Sequence, residues 1–284
     1  MKKYIFPLLL SIVFVSCQRG RKVKDLPAKP GYLVINSVIN NREPMYVFVT
    51  TTASPGDTTY LFDTTVAVSV YENGAFKATL PFDKSNGGYF YNVIPTGGTH
   101  YKIGVRKPGS ITDDSWTETT LPKPILFTNV SFLDSAIFQN GEWISEIKFR
   151  MTDGPDQDKY RLLFYGYQSG NYIPFVVAPI DHVLTNNNTE RDLTAMVFSD
   201  NLFAGKSHEF IVRFPSGNTI KSGPPRFIIE MTNISKEYDE YVSSLGSYQR
   251  QARNPFSNPV SIYTNVYNGL GIFAGYTIKH DTIP

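Results

Sequence analysis

The chain has 284 residues, and 27 Lys and Arg against 25 Asp and Glu leave a net charge of +2. So small a charge argues against nucleic acid as a partner, which would need a basic face. The single cysteine, Cys17, excludes a disulfide framework, and aromatics at 14% together with many Thr, Val, Tyr and Ile favour strands over helices.

Met1–Cys17 begins with Lys2 and Lys3, runs apolar from Tyr4 to Val15 and closes with Ser16 and Cys17. A basic start, a short apolar centre and a small residue at the cut read as an export signal. The run is about 12 residues, against the roughly 20 needed to span a bilayer. Cysteine directly after the small residue makes the segment resemble a bacterial lipoprotein signal, with Cys17 acylated as the mature N-terminus. Several acyl chains, at about 0.8 kcal/mol per buried CH₂, hold a protein firmly on a membrane. Residues 18–30 are basic, carry prolines and lack periodicity, so they read as a tether. Roughly 265 residues follow the signal, enough for two modest domains or one large β domain.

Short extended runs then begin: Tyr32–Ile39, Met45–Thr50, Val66–Tyr71, Ala75–Leu80, Gly88–Val93 and Tyr101–Val105. Asn73-Gly74 lies between the third and fourth and permits positive φ at both turn positions, a strong hairpin signal. So many short strands in so little chain predict an Ig-like or transthyretin-like β-sandwich over 31–122. Pro122 and Pro124 remove two donors within three positions and mark a boundary. The second part, 125–284, resumes with Ile125–Phe132, Trp143–Thr152, Lys159–Tyr167, Ile173–Ala178, Leu193–Phe198, Glu209–Phe214 and Phe227–Thr232. It is expected to be a second antiparallel β domain, sandwich or barrel. One helix is predicted, over 235–251. Ser235 is a capping residue, acids follow in the first turn, and Ile234, Tyr238, Tyr241, Val242 and Leu245 form one face.

Beyond that helix come Asn254-Pro255-Phe256, then Tyr263-Thr264-Asn265-Val266, then Asn268-Gly269-Leu270-Gly271-Ile272-Phe273-Ala274-Gly275-Tyr276. These motifs, with the lipoprotein signal and the β-rich first half, make the chain resemble the Bacteroidota lipoproteins grouped as domain of unknown function 4249. The likeness covers essentially the whole mature chain, though its distinctive motifs lie in the last 50 residues or so. Members of that family look like outer-membrane lipoproteins commonly encoded near TonB-dependent receptors, which implies envelope transport or nutrient capture. Surface-displayed lipoproteins of that phylum often carry acids just after the cysteine, whereas here Arg19, Arg21 and Lys22 are basic. Attachment to the outer membrane is therefore expected, and the sequence leaves open which face carries the protein. Asn254, Pro255 and Phe256 suit a turn that closes the helix, and Gly269, Gly271 and Gly275 suit a last strand lying close to another backbone.

Several patterns invite a chemical reading. Gly269–Gly275 superficially matches a nucleotide-binding glycine loop, but only nine residues follow and no βαβ unit can form; no cofactor is expected. His100, His182, His208 and His280 have no metal-ligand spacing, and neither a G-x-S-x-G elbow nor a Walker loop is present. Asp153-Gly154-Pro155-Asp156-Gln157-Asp158 places three carboxylates in one loop, yet lacks the EF-hand order and suits an ordinary turn; no metal site is predicted there. Tyr165, Tyr167, Tyr172 and Phe175 flank a predicted turn at 168–171, and aromatics near a strand tip can stack on a ligand or fill a partner's pocket. Asp57-Thr58-Thr59, Asp63-Thr64-Thr65, Asp134-Ser135-Ala136 and Asp281-Thr282-Ile283 resemble the O-glycosylation acceptors of the same phylum. The leading expectation is a non-enzymatic outer-membrane lipoprotein that serves a TonB-dependent transporter by holding substrate or docking on the receptor. The alternatives are an envelope assembly factor that binds another protein, and a hydrolase whose site is assembled only in the fold.

Overall fold

The computed structural model describes residues 31–52, 62–111, 113–168, 170–186, 194–216, 227–251 and 260–283. Their pattern is period two: in β1 (Leu33–Asn40) and β2 (Met45–Thr51) alternate side chains are buried. β3 (Ala67–Glu72) and β4 (Ala75–Thr79) form the predicted hairpin, with φ of 49° at Asn73 and 80° at Gly74. The short β5 (Phe82–Asp83) precedes β6 (Gly88–Tyr91), β7 (His100–Arg106) and β8 (Ser115–Thr120).

After the two prolines the strands lengthen. β9 (Leu126–Gln139) and β10 (Glu142–Thr152) make a long hairpin closed by Asn140-Gly141, both with positive φ. β11 (Lys159–Gln168), β12 (Asn171–Pro174) and β13 (Ala178–Pro179) lead to a five-residue helix, α1 (His182–Asn186), that the sequence pattern did not announce. β14 (Ala195–Ser199), β15 (Ser207–Pro215) and β16 (Phe227–Ile234) come before α2 (Lys236–Gln251), which agrees with the predicted helix. β17 (Val266–Tyr267) and β18 (Leu270–Ile283) end the described chain.

One nine-stranded sheet runs β12-β11-β16-β18-β1-β2-β6-β5, with β14 also paired to β11. A five-stranded sheet, β17-β8-β7-β3-β4, and a four-stranded one, β13-β15-β10-β9, complete the fold. Pairing is antiparallel except between β1 and β18, which run parallel from Val34 opposite Leu270 to Asn40 opposite Tyr276. The described residues form no closed barrel, so the second part takes the sandwich form of the two expected.

Two cores follow from this. Ile35, Val47, Val68, Val70, Ile103 and Val105, all fully buried, centre the first, between the long sheet and the five-stranded one. The second, between the long sheet and the four-stranded one, is aromatic: Phe149, Phe164, Phe198, Phe210 and Phe227 are buried, Phe149 meeting Phe164 tilted and Phe210 stacked, and Phe227 meeting Phe214 edge-on. The cores part at Leu121 and Ile125, on either side of Pro122-Lys123-Pro124. Along β18, Phe273 enters the first core and Ile283 the second. Ten residues apart in a strand, they point to one face, so both smaller sheets cover the same side of the long sheet. Tyr276, of opposite parity, meets Tyr238 of α2 edge-on at 5.5 Å. Ser235 caps that helix: its Oγ accepts the amides of Tyr238 and Gly275, each at 3.2 Å.

Candidate functional site

Where the cores part, a cavity of about 660 Å³ opens, lined by the Leu121–Leu126 linker, the β10–β11 loop and the β16–α2 junction. The loop between β10 and β11 turns Asp153 and Asp158 inward. Asp200, the residue after β14, comes up against them from a second loop. One carboxylate oxygen from each of the three lies within 4.8 Å of the others. Asp200 is fully buried and Asp153 is 9% exposed.

The two loops hold each other. The Asp158 amide donates to Asp200 Oδ2 at 2.9 Å, and the Gly205 amide donates to the Gly154 carbonyl at 2.7 Å. The buried Tyr160 hydroxyl donates to Asp153 Oδ1, and the Gly205 amide reaches Asp153 Oδ2 at 3.3 Å. Asp200 Oδ1 has no donor, and neither has Oδ1 of Asn233, a residue 2% exposed that lines the cavity beside Asp158. Burial raises the carboxyls of Asp158 and Asp200 above the usual range, and the neighbouring acids add to it. Burial, then the bond to Asp153, drives the Tyr160 phenol the same way. Lys123 stands at the mouth but pairs with the exposed Asp156 at 3.2 Å. The arrangement is a largely buried all-oxygen group at the wall of the cavity, able to share protons or surround a hard cation.

The sequence singled out the loop from Asp153 to Asp158 and read it as a turn. It offered no sign of Asp200, Asn233 or Tyr160, which reach the cluster from other strands and loops.

The four aromatics proposed for recognition are divided. Tyr167 and Tyr172 face each other across β11 and β12 at 5.2 Å, edge to face. Tyr165 shares their strand face and is half-buried, its phenol raised by burial and by the charge of Glu230. Phe175 packs inward against Phe164, Phe214 and Phe227. Gly271 has φ of +109°, and a Cβ there would stand 2.1 Å from the Ile35 carbonyl oxygen; at Gly269 and Gly275 a Cβ would also crowd neighbouring atoms. Cys17, Asn254, Pro255 and Phe256 lie outside the described residues. Of the acceptor-like Ser and Thr, Thr64, Thr65, Ser135 and Thr282 are exposed, while Thr58 and Thr59 lie outside the described residues.

A second surface stands out on the β9–β10 hairpin. Phe138 and Trp143, 61% and 54% exposed, pair at 5.3 Å beside the turn, and Leu133 is exposed on the same strand as Phe138. The far edge of β9 carries no paired strand among the described residues.

The family model for domain of unknown function 4249 matches residues 22–282. A β-sandwich protein with these sheets, matched over that length, belongs to this family. No curated protein matches the sequence. Among solved structures, a β-glucuronidase from glycoside hydrolase family 2 is 12% identical with a TM-score of 0.21; the match covers 85% of this chain and 22% of that one. The chain thus spans less than a quarter of that enzyme's length. Among the described residues no helix is long and apolar enough to cross a membrane.

Proposed function

We propose that this is a lipid-anchored outer-membrane protein that acts by docking, as a non-enzymatic accessory of a TonB-dependent transporter. The observation that carries docking is the β9–β10 hairpin. Large aromatic side chains in solvent, on a hairpin whose outer strand has an open edge, are costly for a protein that works alone. Tyr, Trp and Phe anchored on a partner contribute most of the energy in many interfaces, and an open edge can accept a partner's strand. The segment Met1–Cys17 supports lipid attachment.

The test is recovery of partners from detergent-solubilised outer membranes with the tagged, lipidated protein, compared with a Phe138→Ser/Trp143→Ser variant. Stoichiometric recovery of a TonB-dependent receptor, lost in the variant, is the expected result. Recovery of assembly machinery alone would favour an envelope assembly factor, and recovery unchanged by the variant would move docking elsewhere on the surface.

A further inference from the structure

We propose that Asp153, Asp158 and Asp200 form a calcium site that ties the β10–β11 and β14–β15 loops together. Two ligands on opposite sides of Ca²⁺ lie about 4.6–5.2 Å apart, twice a Ca–O distance of 2.3–2.6 Å. The three carboxylate oxygens lie within 4.8 Å of one another, so an ion at their centre stands no more than about 2.8 Å from each, and a small inward movement brings all three into the Ca–O range. The donor set contains only oxygen, which selects a hard cation over zinc or copper. It is irregular and drawn from separate loops, which suits the variable shell of Ca²⁺ better than the strict octahedron of Mg²⁺.

Two buried atoms point to a ligand beyond the acids themselves. Asp200 Oδ1, on a residue with no solvent exposure, and Asn233 Oδ1 each lack a donor. A buried acceptor without a partner loses its hydration with nothing in return, most severely when charged, and such groups are rare in folded proteins. Three acids face one another there, and no Lys, Arg or His among the described residues forms an ion pair with any of them: the nearby Lys123 is engaged by Asp156 and Lys159 by Asp239. A divalent ion among the three acids satisfies the orphaned Asp200 oxygen and offsets the repulsion in one step. Asn233 Nδ2 donates to the Lys123 carbonyl at 3.3 Å, so the site adjoins the linker between the cores.

The experiment uses the full-length protein in detergent, stripped with EGTA, and titrates CaCl₂ or MgCl₂ while following thermal unfolding. At 100-fold excess over the dissociation constant, the expected rise in Tm with Ca²⁺ is about 5–10 °C, and clearly less with Mg²⁺. Tb³⁺ provides a second reading, since Tyr160 beside the site should sensitise saturable terbium emission that Ca²⁺ displaces. Asp200→Asn should abolish both responses and, without Ca²⁺, should melt no lower than the parent because a repulsive charge is gone. Should Asp200→Asn fail to fold, Asp158→Asn at the less buried position makes the same comparison. Absence of a Ca²⁺-dependent shift, an equal shift with Mg²⁺, or a shift that survives the carboxylate substitution would each overturn the proposal.

Discussion

Gly271→Ala probes how the two ends of the chain are joined. Three effects act together at that position. A non-glycine residue at φ of +109° carries strain of about 1–3 kcal/mol. The new Cβ would stand 2.1 Å from the Ile35 carbonyl oxygen, where 3.4 Å is ordinary contact. Because the obstacle is backbone, β1 and β18 must separate by roughly 1 Å, further than N–H···O bonds tolerate, and one or two ladder bonds at about 1 kcal/mol each weaken. The expected cost is about 3–5 kcal/mol in total, a large share of the 5–15 kcal/mol typical of a folded protein. Urea unfolding followed by tryptophan fluorescence should show the midpoint falling by about 1–1.7 M, for a slope near 3 kcal/mol/M. Gly74→Ala is the control: φ there is +80° but a Cβ would have nothing within 4 Å, so only strain of about 1 kcal/mol remains. Equal midpoints for the two variants would refute the view that close approach of β18 to β1 requires glycine.

Other outcomes follow from single contacts. Glu146, 5% exposed, accepts from Arg213 Nε at 2.8 Å and pairs with Lys148 at 3.0 Å. Burial raises its carboxyl, but bonds to Lys148 and Arg213 outweigh this and hold it below the usual range. Its contribution is therefore present above the unfolded value of about 4.3 and lost as pH falls through the lower folded value; Glu146→Gln should flatten that acid limb in pH-dependent melts, and an unchanged limb would assign it to other groups. Ser235→Ala removes the cap of α2 and orphans the Gly275 amide, so urea midpoints should report a loss of about 2 kcal/mol that Ser235→Thr largely restores. Phe138→Ser and Trp143→Ser alter exposed side chains and should shift stability by no more than about 0.5 kcal/mol, while partner recovery falls at least tenfold; a large loss of stability would instead mark the pair as structural.

Local pattern carried the strands and the helix because each depends on neighbours in sequence. Alternation in Leu33–Asn40, the Asn73-Gly74 turn and the Ser235 cap are all decided within a few residues. Pairing is not: β1 meets β18 from the other end of the chain, and nothing near Val34 names Leu270 as its neighbour. The short β5 and β8 were missed for a related reason. Ser115-Trp116-Thr117-Glu118-Thr119-Thr120 buries Ser115, Thr117 and Thr119, so its inward face is polar and hides the usual signal. Phe175 was grouped with three tyrosines by proximity in sequence, but the chain turns after Pro174 and sends it into the second core. The carboxylate cluster was half legible, since its loop was visible and Asp200 was not.

Linker, strand and cluster meet at one place, and their connection bears on how the molecule works. The Lys123 carbonyl accepts from both Asn233 of β16 and Thr277 of β18, so the Pro-bounded linker is bonded to the long sheet rather than swinging free of it. Thr277 is fully buried at this point, between the Phe273 and Ile283 ends of β18. The same neighbourhood holds Asp158 and the unpartnered Asn233 Oδ1. A sheet continuous through both cores resists hinging, because bending it would break ladder bonds in β18, β16 and β1 together. The junction is thus fixed by backbone pairing in the sheet and, on the calcium proposal, by ion ligation in the adjoining loops. These bonds couple the N-terminal sandwich, which follows the tether, to the sandwich that carries the exposed hairpin. On the docking proposal that coupling favours binding, since a fixed span holds the aromatic tip at a set distance from the N-terminal sandwich and spares the ordering entropy of a loose joint.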